Sequence, residues 1–301
     1  MFVASVHQSA STLLSLPDSK AHNQEQRTAL EEYAAIVPAH APEKEFVEQE
    51  RHMAYVKHTV LSKVMYDADT AIITLDGRLD CESGQFAFLW LPGIGEKPFS
   101  IAESEPFTFI IKKRGKISQV LVGMAAGATV YVRGVYGAPV ALPQVEEALL
   151  IAGGTGVAVL PAMARKLAGQ GTRLRILIGT SSKAPAGVPA LMEDTLAQYG
   201  SFTCIPDDGK PARVLDYLET EVDIKPGTAC FVVGPEKFMA RAGKTLLASG
   251  IAPGNIQMSM EKMTLCGIGM CGACACGERL TCRYGTFVPY DYLLKEAPEF
   301  L

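Results

Sequence analysis

From Ala54 onward the chain is written in short runs of β-branched and aromatic residues, broken by Gly, Asp and Pro. YVKHTVLSKV, TAIITLDG, QFAFLWLPG, FTFIIKKRG and ATVYVRGVYG each have the length and composition of a strand. Their close spacing predicts an antiparallel β-barrel or sandwich over residues 54–142. The rhythm changes at Glu147. ALLIAGGTGV is an apolar strand entering a glycine turn, and VAVLPAMARKL is the helix after it. RLRILIG, SFTCIPDDG and ACFVVGPEKF are further strands, interleaved with the helical stretches PALMEDTLAQYG, PARVLDYLETE and PEKFMARAGKTLLASG, and NIQMSM supplies a last strand. Strands alternating with helices predict a parallel α/β domain over 143–260, covered on both faces. Residues 261–301 form a small separate module. Ahead of the barrel, residues 1–53 are a polar extension, with one helix expected from about Gln24 to Ile36 and halted by Pro38. The expected fold is thus multidomain: extension, barrel, α/β domain and C-terminal module.

Composition narrows the function. Of 301 residues, 28 are basic and 32 acidic, a formal charge of −4. That balance argues against nucleic acid as a partner, which needs a concentrated basic surface. No apolar run reaches the length of a transmembrane helix, and the start of the chain lacks the pattern of a signal peptide. A cytoplasmic protein is expected, so its eight cysteines need an explanation other than disulfides.

The cysteines are clustered. Cys81, Cys204 and Cys230 are isolated in apolar or strand-like surroundings and read as buried core residues. Cys266, Cys271, Cys274 and Cys282 give C-x4-C-x2-C-x7-C, whose opening resembles plant-type [2Fe–2S] spacing. Gly267, Gly269 and Gly272 let the backbone curl and turn N–H groups inward, where they offset thiolate charge. No charged side chain interrupts Cys266–Cys276. Structural zinc is the main rival, although zinc knuckles usually open with C-x2-C, and ordinary thiols are the lesser one. Cys276 reads as a spare thiol, with a swap for Cys274 left open.

Gly153, Gly154, Thr155 and Gly156 follow the first α/β strand, where small residues let a pyrophosphate or nicotinamide approach the backbone. The third glycine of the full dinucleotide fingerprint is missing, so a purely structural tight turn competes with the binding role. Gly234 and Pro235 close a later strand at the carboxyl end of the same sheet, and Asp207, Asp208 and Gly209 sit in a similar loop. Lys97, Pro98, Phe99 and Ser100 follow the third barrel strand, where Phe99 is either core or the cover of a ring system.

Taken together, these motifs resemble the ferredoxin–NADP reductase superfamily. Within it they are most similar to flavin and [2Fe–2S] electron-transfer subunits, such as those of dihydroorotate dehydrogenase, soluble hydrogenase (gamma) and anaerobic sulfite reductase (B). The resemblance covers about residues 54–290. It implies FAD held by Lys97-Pro98-Phe99-Ser100, where the family arginine is a lysine, and by Gly115-Lys116-Ile117-Ser118, whose helix-start amides face the pyrophosphate. Arg133, Gly134 and Gly137 match the turn closing the flavin domain. NAD(P)H is implied at Gly153–Gly156 with Gly234 and Pro235, where the family's cysteine before Gly-Pro is Val233. Thr180, Ser181, Ser182 and Lys183 occupy the region that often reads the adenosine ribose, and NAD against NADP stays open. The cluster ligands are Cys266, Cys271, Cys274 and Cys282. The implied activity passes electrons between NAD(P)H and a partner oxidoreductase of dihydroorotate dehydrogenase, hydrogenase, sulfite reductase or another type. No catalytic side chain of the protein is implied, and His7, His22, His40, His52 and His58 all lie away from the motifs. A nucleotide-sensing or scaffold subunit without turnover, and a stand-alone reductase of a soluble acceptor, are the alternatives.

Overall fold

Short, largely apolar strands, several of them buried at almost every position, close residues 56–136 on themselves. The computed structural model describes residues 54–180, 190–207, 210 and 213–301. The helix expected at 24–36, residues Ser181–Lys183, and Asp208 and Gly209 lie outside them. Six strands, β1 (Val56–Met65), β2 (Thr70–Leu75), β3 (Phe86–Leu91), β4 (Gly95–Ser104), β5 (Phe107–Lys112) and β6 (Thr129–Tyr136), form a closed antiparallel barrel in the order β1-β2-β5-β4-β3-β6. Closure removes the exposed edges that a half-buried sheet would otherwise present. Val60, Ile73, Leu89, Phe109 and Val132 share its core with Leu121 and Val122 of helix α1 (Lys116–Gly123).

The second half builds a six-stranded sheet from β7 (Glu147–Gly153), β8 (Arg173–Thr180), β9 (Gly200–Pro206), β10 (Ala229–Val233), β11 (Ile256–Ser259) and β14 (Phe287–Pro289). All seven residues of β7 are buried, as a central parallel strand requires. The helices α2 (Leu160–Gly169), α3 (Ala190–Ala197), α4 (Arg213–Glu221) and α5 (Glu236–Ala248) connect the strands, and between β11 and β14 lie a small hairpin of β12 (Ala275–Cys276) and β13 (Arg279–Leu280) and the short helix α6 (Thr281–Tyr284). One face of the sheet shares a core with α2 and with barrel residues Tyr66, Ile72, Ala102 and Ile110. The other packs on α4 and α5 through Leu215, Leu218, Met239 and Leu246. Each such side chain, fully buried, contributes roughly 1.5–3 kcal/mol.

Two details differ from expectation. The sheet does not end at β11, because β14 pairs antiparallel beside it, with Met258 opposite Val288. Helix α7 (Tyr290–Glu296) follows, with Tyr290 and Leu293 buried, so the aromatic tail packs on its own sheet. Lys97–Ser100, which follows the third barrel strand as expected, belongs to a strand not among the runs read from the sequence, since Lys97 pairs with Leu89 and Ser100 with Phe86. Pairing of β4 with β5 begins only at Ile101, so the other edge of residues 97–100 is open. Pro98 is tolerated there because it lacks only an N–H the open edge does not use.

Candidate functional site

The open edge of β4 faces a cleft of about 220 Å³. Lys97, Pro98, Phe99 and Ser100 line it with Ser118 of α1, Thr155 of the glycine turn and Thr281 beside the cysteines. Phe99 packs on the barrel core and also lines the cleft. Gly115 caps α1, whose start is open around Gly115. The Ser118 hydroxyl is engaged with its own turn, accepting from the amides of Arg114 (2.8 Å) and Gly115 (3.1 Å). It therefore shapes the helix start. Sequence reasoning missed three cations on the cleft wall, Lys112, Arg114 and Lys262, and one carboxylate, Glu261. Lys262 is paired with Glu236, whereas Lys97, Lys112 and Arg114 present positive charges with no carboxylate within ion-pair distance among the described residues. The signal for Lys112 and Arg114 was legible in the basic run KKRGK leading into α1.

The sheet order places β7 between β8 and β10, so the chain reverses direction across the sheet at the β7/β10 boundary. Crevices at such points, outside the carboxyl ends of the strands, are where open α/β sheets take ligands. Gly153–Gly156 and Gly234–Pro235 come together at this boundary. A Cβ on Gly234 would lie 2.8 Å from the Phe238 ring, and one on Gly156 would lie 2.7 Å from the Val233 carbonyl oxygen. Those glycines are needed for packing. Gly154 is different: its φ is +59° and nothing lies within 4 Å of an added Cβ. Of the turn's glycines, it is the one whose backbone faces open space. Thr180 and Asp207 are joined at the end of the neighbouring strands, the Asp207 amide donating to the Thr180 carbonyl (2.8 Å).

The cysteine loop sits between β11 and β14. Cys271 neighbours Cys266, Cys274 neighbours Cys282, and Cys266 also acts on Cys282. Burial opposes charge on Cys266, but the amides of Cys271, Ile268 and Met270 and the Cys271 thiol outweigh it and lower its pKa to about 6. Burial, then the adjacent Cys274, pushes Cys282 up to about 12, against the Gly269 amide. Among the described residues no three His, Cys, Asp or Glu side chains surround a point where a single metal ion could sit. Cys276 faces the other way, into the core under α7, with Lys262, Glu299, Arg279 and Glu236 as its charged neighbours. Cys274 packs with Cys282 against Phe86, Phe88 and Tyr136. Of the isolated cysteines, Cys230 is buried as expected, whereas Cys81 and Cys204 are half-buried.

Cleft and cysteine loop adjoin. Thr281 lines the cleft, Cys282 is its chain neighbour, and the Thr281 amide donates to the Cys274 carbonyl (3.2 Å). Phe86 likewise touches both the cleft and the cysteine cluster. His58 is tied into the barrel through the Asp76 carbonyl, and the other histidines lie outside the described residues.

A closed six-stranded barrel joined to a sheet with this strand order, the two meeting at a shared cleft, is the FAD-binding fold of ferredoxin–NADP reductase-like oxidoreductases. The solved structure of an NADH-dependent reduced ferredoxin–NADP oxidoreductase aligns with TM-score 0.68 at 22% identity, over 82% of this chain and 95% of that one. Phthalate dioxygenase reductase aligns with TM-score 0.55 at 18% identity, over 70% of each chain. No family model matches the chain. Probable dihydroorotate dehydrogenase B (NAD(+)) electron transfer subunits are similar over most of their length. That of Methanocella arvoryzae is 31% identical over 229 residues, 74% of this chain and 85% of that protein. That of Pyrococcus abyssi is 33% identical over 217 residues, 70% and 80% respectively. The chain belongs to this family of electron-transfer subunits, and is a flavin-dependent oxidoreductase. Among the described residues, no helix is long and apolar enough to cross a membrane.

Proposed function

We propose that the protein passes electrons between NADH or NADPH and a partner oxidoreductase, using FAD in the barrel cleft and a [2Fe–2S] cluster on Cys266, Cys271, Cys274 and Cys282. The observation that carries this reading is the meeting of the motifs: flavin-motif residues, Thr155 and Thr281 line one cleft, with Cys282 directly behind. When bound, FAD supplies two-electron hydride chemistry and single-electron release, and the cluster supplies one-electron carriage. Lys97, Lys112 and Arg114 would neutralise the pyrophosphate. Lysine at 97 gives charge without the planar fork of arginine, so Arg114 would bring that geometry. Phe99 and Ser100 would lie along the flavin ring. The open backbone at Gly154, with Thr155, Gly234 and Pro235, would receive the nicotinamide end of the nucleotide.

The chemistry of the donor set favours two irons. Four neighbouring thiols suit a metal pair that takes two thiolates each, whereas zinc needs its donors around one point. Amides aimed at Cys266 would stabilise thiolate charge. The partner is a redox enzyme of the kind named by the relatives, dihydroorotate dehydrogenase B, or one that takes electrons in the same manner. The test is anaerobic reconstitution of the full chain. Flavin absorbance, two irons and two sulfides per chain, and bleaching by NADH or NADPH are expected. Cys271→Ser should abolish the cluster and Cys276→Ser retain it. A colourless chain carrying one zinc would overturn the reading, and co-purification identifies the partner.

A further inference from the structure

Arg133 is 7% exposed, on β6, and every one of its N–H donors is used. Nε and Nη2 grip the two oxygens of Glu96 at 2.8 and 2.7 Å. Nη1 donates to the Tyr136 hydroxyl (2.8 Å) and the Cys266 carbonyl (2.9 Å), and Nη2 also donates to the Leu265 carbonyl (3.1 Å). The guanidinium lies 3.8 Å from the centre of the Phe88 ring, which packs with Cys274 and Cys282. Gly267, with φ +85°, lets the Tyr136 ring sit where a Cβ would be 3.0 Å from it. A single buried cation thus holds the first two peptide units of the cysteine loop, the segment whose following amides point at Cys266. Its counter-charge is a carboxylate on β4, one residue before the flavin motif.

We infer, on the reading that the four thiolates hold a two-iron cluster, that the Arg133–Glu96 pair is a positioning and potential-setting device for that cluster. The guanidinium orients the Cys266 end of the loop, and the balance of the two charges sets how readily an electron is accepted. Adding an electron makes the thiolate-bound centre more negative, so a nearby cation favours the reduced form and a nearby carboxylate opposes it. Glu96 offsets part of the pull of Arg133. Because Glu96 adjoins Lys97, the same pair couples the flavin strand to the loop mechanically.

The test is a reduction titration of the anaerobically reconstituted full chain, followed by electron paramagnetic resonance, with iron content and melting temperature measured alongside. Glu96→Gln keeps a hydrogen-bond acceptor and removes the charge. At a fixed applied potential its reduced-to-oxidised ratio is expected to rise about threefold to tenfold, the size of a unit-charge effect across a few side chains. Arg133→Lys keeps the charge and loses the fork, so its ratio stays near wild type while iron content per chain falls. If Glu96→Gln does not fold, Arg133→Gln carries the test with the opposite sign, a lower ratio. A merely structural pair would lower the melting temperature and leave the ratio unmoved, which overturns the inference alone. A wild-type chain that takes up no iron or sulfide overturns the cluster reading, and the inference with it.

Discussion

Replacing Gly156 by alanine separates packing from binding in the glycine turn. The added methyl would lie 2.7 Å from the Val233 carbonyl oxygen and 2.9 Å from both its carbonyl carbon and Cγ1. Carbon contacts of that kind ordinarily begin at about 3.4 Å, so β10 or the turn must give by half an ångström or more. Val233 is held in register with Ala152 of β7, and Ala152 with Ile178 of β8. The strand end therefore moves only by disturbing its neighbours. Overpacking of this sort costs about 1–3 kcal/mol. At about 2–4 °C per kcal/mol for a unit of this size, Gly156→Ala should melt roughly 2–12 °C below wild type. Gly154→Ala meets no atom, and its cost is the left-handed backbone alone, about 1 kcal/mol. Its larger effect should be on nucleotide affinity, since the methyl enters the open side of the turn. Thermal unfolding of the flavin-loaded proteins, with NADH and NADPH titrations, measures both. The reasoning fails if Gly156→Ala melts no lower than Gly154→Ala.

Further outcomes test other parts of the molecule. Glu147 is buried, which alone would raise its pKa, but Arg173 and Arg175 outweigh this and hold it below the ordinary 4.5. A depressed folded-state pKa stabilises the protein above about pH 4.5, and that contribution is lost as the pH falls through the folded value. Glu147→Gln should thus be less stable at neutral pH and show a shallower acid decline, read from urea midpoints between about pH 3 and 7. Arg114→Ala should weaken flavin retention about tenfold at low salt, with the difference shrinking as salt rises, as equilibrium dialysis would show. Ending the chain before Phe287 strips β14 and α7 from the sheet and uncovers Met258. Such a chain should bind flavin less well than wild type and aggregate on heating, seen by light scattering.

Much of the architecture was legible because it follows from local periodicity. The strand–glycine–helix passage at 147–169 and the barrel runs carry their own patterns, and the cysteine spacing carries its own chemistry. What escaped was set by partners far away in the chain. Phe287–Pro289 is three residues long, too short for any period, and becomes a strand only because β11 offers an edge. Lys97–Ser100 contains a proline and a lysine, which hide a strand that uses only one side. Arg133 was visible as part of a turn motif, yet its bonds reach Glu96, Leu265 and Cys266, and no spacing along the chain announces such a set. The burial of Cys276, whose carbonyl accepts from the Tyr292 hydroxyl, is likewise set by the distant α7.

The neighbouring positions of β11 and β14 bear on how the protein matures. The strands from β1 to β11 can pair as they leave the ribosome, but residues 260–286 are pinned at both ends only when the final segment has docked. If the proposed cluster is held there, its metal would be inserted late, after translation ends. A transcript cut short near its end would then yield a chain whose cysteine loop is fixed at one end only.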